Sequence, residues 1–363
     1  MLSISSLSWF VSAALLSAIF VVALIGPARR IDLVDHPVGR KNHSASTPLV
    51  GGIAIFLSVV LTHFFIGELP AQSVTLMIAV LVTMGIGVAD DAHEIGHRSK
   101  FFAQLIAALL IVSGTEVHVM HLGDIFALGD VVLDKWSYLV TVIAVIGLMN
   151  AFNMIDGLDG LAGTQVVIPL FIFMGVAHAA GDARTALELL VLAGAVSGFL
   201  LFNLRAPWRK RALVFMGDTG GLLLGLLLAW YSIRLAGSTT SPLRPITAVG
   251  ILAVPLLDMG SVMFLRMIQR TSPFAADRQH LHYILLDAGF SVSQVVGMMA
   301  AASIALSMFA LFAEAHGVPE FAIFAGFVAL LLGYLVILAN PGIVTRLPGS
   351  RLASSVKAPD SLG

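Results

Sequence analysis

Residues 7–25, LSWFVSAALLSAIFVVALI, form an uncharged run that is followed closely by Arg29 and Arg30. A helix that crosses a bilayer needs about 20 mostly apolar residues, because each residue rises about 1.5 Å through a hydrocarbon core about 30 Å thick. A cleaved signal peptide carries positive charge in front of a shorter apolar region, whereas no Lys or Arg precedes this run. We therefore predict a retained transmembrane helix whose N-terminus lies outside the cytoplasm.

The same composition continues along the whole chain. Its 363 residues are 58% hydrophobic and only 11% charged, and the mean hydropathy is +0.97. A soluble domain is about half apolar and about a quarter charged. The sequence therefore predicts an all-α polytopic membrane protein with about eleven transmembrane helices. The eleven segments lie roughly at residues 7–26, 49–66, 73–89, 101–115, 136–152, 161–178, 185–203, 219–235, 245–265, 293–313 and 319–339.

The distribution of the 20 Lys and Arg residues predicts how these helices are oriented. With a periplasmic N-terminus and a cytoplasmic C-terminus, every one falls on the cytoplasmic side except Lys135, Arg184, Arg234 and Arg244. Such an excess of positive charge on the cytoplasmic side is the rule for membrane proteins. We expect one integral-membrane domain over residues 1–340, with its polar loops at the cytoplasmic face. A polar, mobile tail would follow over residues 341–363.

Two further counts exclude classes of function. The net charge of −1 provides no basic field for nucleic acid, and the chain has no cysteine. Thiolate nucleophiles and cysteine-ligated metal sites are therefore absent.

Two adjacent carboxylates, Asp90 and Asp91, end the third apolar segment. They repel each other, they face the negative end of a helix dipole, and they lie near lipid, where ionised groups are costly. We expect a divalent cation, Lys100 or a bound substrate to compensate them. The ordinary alternative is a solvated loop start.

The stretch 150–163, NAFNMIDGLDGLAG, places Asn153, Asp156 and Asp159 at intervals of three. If the stretch is helical, these side chains share one face. A set of oxygen donors suits Mg²⁺, which keeps water and substrate phosphates among its ligands. The alternative is a polar turn between two helices.

Asp218 lies in the glycine-rich stretch 215–221, FMGDTGG, at the start of the eighth apolar segment. An aspartate there is an ordinary N-cap. A glycine-rich helix start can equally hold an anion.

The last of the larger polar loops contains residues 272–283, SPFAADRQHLHY. Arg278, His280 and His282 could meet a pyrophosphate through charge-assisted hydrogen bonds. The alternation of histidines could instead bind a transition metal. The apolar residues that follow predict a short helix at the membrane interface.

A basic loop near the N-terminus contains Arg40, Lys41 and His43. Anchoring to anionic lipid and a role in binding substrate explain it equally well.

Taken together and in this order, the motifs at 90–91, 150–160, 215–218 and 277–282 resemble those of the polyprenyl-phosphate N-acetylhexosamine-1-phosphate transferases. The resemblance extends from about residue 35 to residue 290. It implies transfer of a sugar 1-phosphate from a UDP-N-acetylhexosamine to undecaprenyl phosphate in the bacterial inner membrane, with the site facing the cytoplasm. The lead-in SPFAADRQH favours the branch that uses UDP-GlcNAc to begin O-antigen or enterobacterial common antigen synthesis.

The resemblance also implies catalytic and metal-binding roles. Asn153 and Asp218 would be ligands of Mg²⁺, for which Mn²⁺ could substitute. Asp90 would be the general base or nucleophile, with Asp91 beside it. Asp156 would help to organise the nucleotide site.

The remaining implied roles concern the nucleotide. Asp159 and Phe215 would hold the uracil. The phosphate contacts would come from Lys100, Arg278, His280 and His282. One departure stands out, because relatives usually have a further histidine where this chain has Tyr283. A tyrosine keeps a hydrogen-bonding group but does not become cationic near neutral pH.

Other interpretations stay open at this point. The donor could be UDP-GalNAc or another N-acetylated sugar, and the oligomeric state is undetermined. A transporter is the rival class, in which the acids would form an ion pathway near the bilayer midplane.

Overall fold

The computed structural model describes residues 4–36, 46–67, 74–273 and 278–346. These residues are mostly helical. In chain order the α-helices are α1 (Ile4–Arg30), α2 (Gly51–Ile66), α3 (Val74–His93), α4 (His97–Gly114), α5 (Ser137–Met154), α6 (Leu161–Ala179), α7 (Ala183–Asn203), α8 (Gly217–Ala236), α9 (Pro245–Ile251), α10 (Ala253–Ile268), α11 (Leu281–Asp287), α12 (Val292–Ala315) and α13 (Glu320–Ala339). Two 3₁₀ turns, Asp134–Trp136 and Pro341–Arg346, complete the helical structure.

Every predicted apolar segment except 245–265 coincides with one helix, and within the described residues eight helices are long and apolar enough to cross a membrane. The eight are α1, α3, α5 with the 3₁₀ turn before it, α6, α7, α8, α12 and α13. Helix α2 is apolar but has only 16 residues, and α4 opens on a polar turn. The chain is therefore a polytopic membrane protein. The short helix predicted after the histidines is also present, as α11.

The segment predicted as one transmembrane helix over 245–265 consists instead of two helices, and the prediction of a single helix is wrong there. Helices α9 and α10 meet at Leu252 with a bend of 85°. Pro255 explains the break, because a proline has no N–H and its ring clashes with the carbonyl of the residue four positions earlier. That carbonyl belongs to Ile251, and it accepts a hydrogen bond from the Ser307 hydroxyl at 3.2 Å instead.

A small β-structure departs from the all-α prediction. Strands β1 (Val34–Asp35) and β2 (Thr47–Pro48) pair antiparallel. The chain continues this pairing to the start of α8, because Phe215 N donates to Pro48 O at 2.9 Å and Gly51 N donates to Phe215 O at 3.0 Å. Strands of two residues are too short to produce an alternating pattern in the sequence.

Helix α8 is the centre of the bundle and is buried along nearly its whole length. Its first turn is approached closely by two other helices, through glycines. A Cβ placed on Gly52 of α2 would lie 2.4 Å from Gly220 N, and one on Gly87 of α3 would lie 2.4 Å from Thr219 Cα. Both contacts are to backbone, so no side chain can move aside. The fold therefore requires glycine at these positions to bring α2 and α3 against the start of α8.

We expect Gly87→Ala to destabilise the protein by about 1–3 kcal/mol, the usual cost of forcing an extra methyl group into a packed site. Gly85→Ala is the matched control on the same helix, because a Cβ there meets nothing within 4 Å. The midpoint of thermal unfolding in detergent measures both effects. Equal midpoints for the two variants would contradict the packing described here.

Candidate functional site

Two acids and one lysine from three helices meet at the start of α8. The Lys100 ammonium, on α4, donates to Asp90 Oδ2 on α3 at 2.6 Å and to Asp218 Oδ2 on α8 at 2.5 Å. Lys100, one of the compensating groups expected from the sequence, is therefore in contact with Asp90. It bridges Asp90 to Asp218 rather than to its neighbour Asp91.

Asp91 has a different function in the structure from Asp90. Its carboxylate accepts from the backbone N–H of Asp218 at 2.7 Å, from that of Thr219 at 3.1 Å, and from the Thr219 hydroxyl at 2.6 Å. These backbone groups are unsatisfied donors of the first turn of α8. Asp91 therefore caps the start of α8 from another helix. The interpretation of Asp218 as its own helix's N-cap is wrong, because Met216 occupies that position.

The stretch with Asn153, Asp156 and Asp159 does not form one helical face. Helix α5 ends at Met154, so Asn153 lies in its last turn while the two acids lie in the loop that leads to α6. Gly160, at φ +82°, is the residue before the first turn of α6, and its positive φ is a conformation that glycine adopts readily. Asn153 nevertheless lies beside the Asp218 carboxylate. Burial, with the neighbouring charges of Asp218, Asp91 and Asp159 adding, raises the pKa of Asp156 to about 8.

Asp159 and a residue that the sequence did not single out, Asn203, tie this loop to the segment before α8. Asp159 Oδ2 accepts from Arg205 Nε at 2.7 Å and from Ala212 N at 3.1 Å. Asn203 is buried, accepts from Gly160 N at 2.8 Å and donates to Val214 O at 2.9 Å. The available signal was a lone amide at the end of the apolar run of α7. Phe215 follows directly on this segment.

The histidines lie against the same loop. His282 is fully buried, and among the described residues neither of its ring nitrogens has a hydrogen-bond partner. Its Nε2 faces Gly157, where a Cβ would lie only 2.3 Å away. Burial lowers the pKa of His282 to about 4, so the ring is neutral. The histidine block therefore adjoins the loop that carries Asp156.

Arg278 lies farther out. It is exposed, donates to Asp287 Oδ1 at 2.9 Å, and stacks at 4.7 Å over the ring of Tyr283. The structure therefore places Arg278 at the rim, while the two histidines are buried. The basic loop with Arg40, Lys41 and His43 and the residues 274–277 lie outside the described part of the chain.

The donor atoms near Lys100 fit the hard cation expected from the sequence. Asp90, Asp218 and Asn153 offer carboxylate and amide oxygens, which Mg²⁺ prefers. Asp90 Oδ1 is buried, and it has no hydrogen-bond partner within the part of the chain that the structure describes. A buried carboxylate oxygen without a partner is costly. A positive group in addition to Lys100 would therefore stabilise the site.

All of these groups lie at one end of the helical bundle, at the C-terminal ends of α3 and α5 and the N-terminal ends of α4 and α8. Fold and site together define a polytopic membrane protein with an oxygen-rich cluster at one set of helix ends. The model of glycosyl transferase family 4 matches residues 73–236.

Similarity to characterised proteins extends over most of the chain. This chain is 31% identical to the undecaprenyl-phosphate alpha-N-acetylglucosaminyl 1-phosphate transferase of Escherichia coli K12. The 330 aligned residues cover 90% of this chain and 89% of that protein. The proteins of the same name from Salmonella typhimurium and Haemophilus influenzae are 32% and 30% identical, over 92% and 91% of this chain and 91% and 94% of theirs. The chain belongs to glycosyl transferase family 4 and is an enzyme.

We expect Asp91→Ala to lower the free energy of unfolding by about 1–2 kcal/mol, the upper range for losing a helix cap. It should also reduce turnover, because the backbone of Asp218 loses its acceptor. The measurements are thermal unfolding and activity on one preparation.

Asp182→Ala provides the matched control. Asp182 caps α7 by accepting from Thr185 N at 3.0 Å and from the Thr185 hydroxyl at 2.7 Å, away from the cluster. Asp182→Ala should lower the free energy of unfolding by a similar amount and leave turnover unchanged. An Asp91→Ala protein with full turnover would contradict the assignment of Asp91 as the residue that fixes the start of α8.

Proposed function

We propose that this enzyme transfers N-acetylglucosamine 1-phosphate from UDP-GlcNAc to undecaprenyl phosphate, giving undecaprenyl-diphospho-GlcNAc and UMP. One observation carries the proposal. Asp90, Asp218 and Lys100 converge at helix ends, in a chain that shares about nine-tenths of its length with relatives named for this reaction.

The reaction joins a water-soluble donor to a lipid acceptor. An oxygen of the lipid phosphate attacks the β-phosphorus of the UDP-sugar. The bond from that phosphorus to the bridging oxygen breaks, and UMP leaves with the electron pair. A phosphate monoester has its second pKa at about 6, so the acceptor is largely ionised near neutral pH. A base at Asp90 therefore needs to contribute only modestly.

The residues of the cluster would have different roles in the reaction. Asp218 and Asn153 would hold Mg²⁺, or Mn²⁺ in its place. Bound at the cluster, the ion would neutralise charge on the diphosphate and on the leaving group. Asp90 would act as base or, in a two-step route, as the nucleophile that forms an aspartyl phosphate. Asp91 would contribute by fixing the start of α8. Asp156 would order the nucleotide loop, residues 155–160 between α5 and α6.

The nucleotide would be bound by groups around this centre. Lys100 is already within hydrogen-bonding distance of both acids, so its ammonium can be shared with a phosphate. His280 and His282 would contact the diphosphate, with Arg278 at the rim. Asp159 and Phe215 would hold the uracil. The loop with Asp159 is hydrogen-bonded to the segment before α8, which contains Phe215.

The membrane placement that suits this chemistry has eleven spans, a periplasmic N-terminus and a cytoplasmic C-terminus in the bacterial inner membrane. Helices α2 and α4 and the bent pair α9–α10 would then complete the count. The isoprenoid tail stays in lipid while its phosphate reaches helix ends that face the cytoplasm, where UDP-sugars are made. Irregular backbone at membrane depth is acceptable there because it lines a site.

Purified protein with Mg²⁺ and undecaprenyl phosphate, tested against a panel of radiolabelled UDP-sugars, should release UMP and label the lipid with UDP-GlcNAc best. EDTA should abolish the signal and Mg²⁺ should restore it. UMP exchange without lipid phosphate would identify the covalent route. Labelled substrate that enters sealed vesicles with no UMP release would overturn the proposal in favour of a transporter.

Asp90→Asn and Asp218→Asn should each lower kcat by roughly 10²–10⁴-fold, the range that loss of a catalytic group commonly produces. Both should retain a folded, membrane-inserted protein. Asp130→Asn serves as the control, because Asp130 is exposed and pairs with His121 in the loop between α4 and α5. Near-normal turnover in either variant would remove that residue from the catalytic site.

A further inference from the structure

A buried carboxylate in the second half of the chain is not used by the mechanism above. Asp258 on α10 is only 1% exposed. Its Oδ2 lies 2.6 Å from His280 Nδ1, and its Oδ1 accepts from Leu281 N at 3.1 Å and from the Tyr334 hydroxyl at 2.6 Å. A buried carboxylate is stable only when such donors compensate its desolvation. Asp258 therefore joins three separate elements, α10, the start of α11 and α13.

This arrangement fixes the orientation of His280. An ionised carboxylate can only accept hydrogen bonds, so Nδ1 of His280 carries the proton. The opposite ring nitrogen, Nε2, is then directed away from Asp258 and is the atom available to a ligand. In many binding sites a carboxylate holds one ring nitrogen of a histidine and so fixes the position of the other, which binds the ligand.

The His280 ring also stands next to the nucleotide loop. It stacks on the His282 ring with 5.3 Å between centroids and 16° between planes. The His282 ring in turn abuts Gly157, one residue from Asp156. Any rotation of His280 would therefore disturb a packed wall of the proposed donor site.

Asp258, His280 and His282 also have the ligand types of a transition-metal site, and their donor atoms lie within 4.8 Å of one another. The separation between Asp258 and His280 argues against this use. Two ligands of a tetrahedral metal at about 2.0–2.2 Å are roughly 3.3 Å apart. The observed 2.6 Å is a hydrogen-bond distance.

We propose that Asp258 is a positioning residue for His280, and that Tyr334 on α13 completes the arrangement by holding Asp258. The inference rests on the proposed function, because it gives His280 the diphosphate of the nucleotide donor as its ligand. It makes α13 a contributor to the donor site. Asp258, His280 and Tyr334 all lie beyond residues 73–236, which the family model matches.

The test is a double-mutant cycle on Asp258 and His280, read as KM for UDP-GlcNAc, as kcat, and as equilibrium binding of UDP-GlcNAc to the purified protein. Asp258→Asn should weaken donor binding and kcat/KM by about 10–100-fold, mostly through KM, as loss of a residue that orients a ligand-binding histidine does. Tyr334→Phe should lose less. In the His280→Ala background, Asp258→Asn should add almost nothing, since it acts through His280.

Glu188 and Tyr231 provide matched controls. Glu188 on α7 is also a buried acid that accepts from a tyrosine hydroxyl, that of Tyr231 at 3.3 Å. Glu188→Gln and Tyr231→Phe should leave KM and donor binding unchanged. This comparison separates loss of a buried acid or a tyrosine hydroxyl in general from loss of these particular groups.

The outcomes distinguish this inference from the proposed function. If the wild-type protein turns over no UDP-sugar, the proposed function is wrong. The double-mutant cycle on donor binding still tests whether Asp258 positions His280. Full additivity of Asp258→Asn and His280→Ala, or unchanged donor binding in Asp258→Asn, overturns the inference even if the wild type is active. If Asp258→Asn fails to fold, Tyr334→Phe decides, and donor binding equal to wild type in that variant overturns the inference.

Discussion

The close approach of α2 and α3 to the first turn of α8 is the constraint from which the rest of the site follows. The close contact of Gly87 with the backbone of Thr219 brings Asp90 and Asp91, on the same helix, to the start of α8, while Gly52 brings α2 against Gly220. Asp91 then reaches the unsatisfied N–H groups there, and Asp90 comes within reach of the lysine that also holds Asp218. A larger residue at Gly87 would push α3 away from the start of α8 and weaken these polar contacts.

That packing concentrates negative charge, and its electrostatic cost explains the position of Lys100. Two unit charges about 4 Å apart interact by about 4 kcal/mol at an effective dielectric constant of about 20. An ammonium between Asp90 and Asp218 turns this repulsion into attraction. Burial raises the pKa of Asp156 most, and the negative charges of Asp218, Asp91 and Asp159 raise it further. A site left short of positive charge is suited to a ligand that brings a cation with it.

The sequence predicted the helices well because apolar runs of nearly constant length have one physical explanation in a membrane. It missed features that depend on contacts between distant residues. Asp90 and Asp91 look alike in the sequence, yet one faces Lys100 and the other caps α8. Asn203 lies at the end of an apolar helix and Asp258 lies within one. The neighbouring sequence does not indicate their hydrogen-bond partners, which are distant in the chain. The break at Leu252 was accessible in principle, since Pro255 lies within the segment.

The distribution of polar groups along α8 bears on the choice between an enzyme and a transporter. Asp218 lies at its first turn. Near its other end, Tyr231 contacts Glu188 of α7 and Arg234 contacts Asp182, which caps α7. Between them, Leu222, Leu223, Leu224, Leu226 and Leu228 are buried almost completely. A transported ion would need polar groups along its path, whereas the middle of α8 presents packed leucines. An enzyme needs polar groups only at the end of the bundle where its water-soluble donor binds, which is where Asp218 lies.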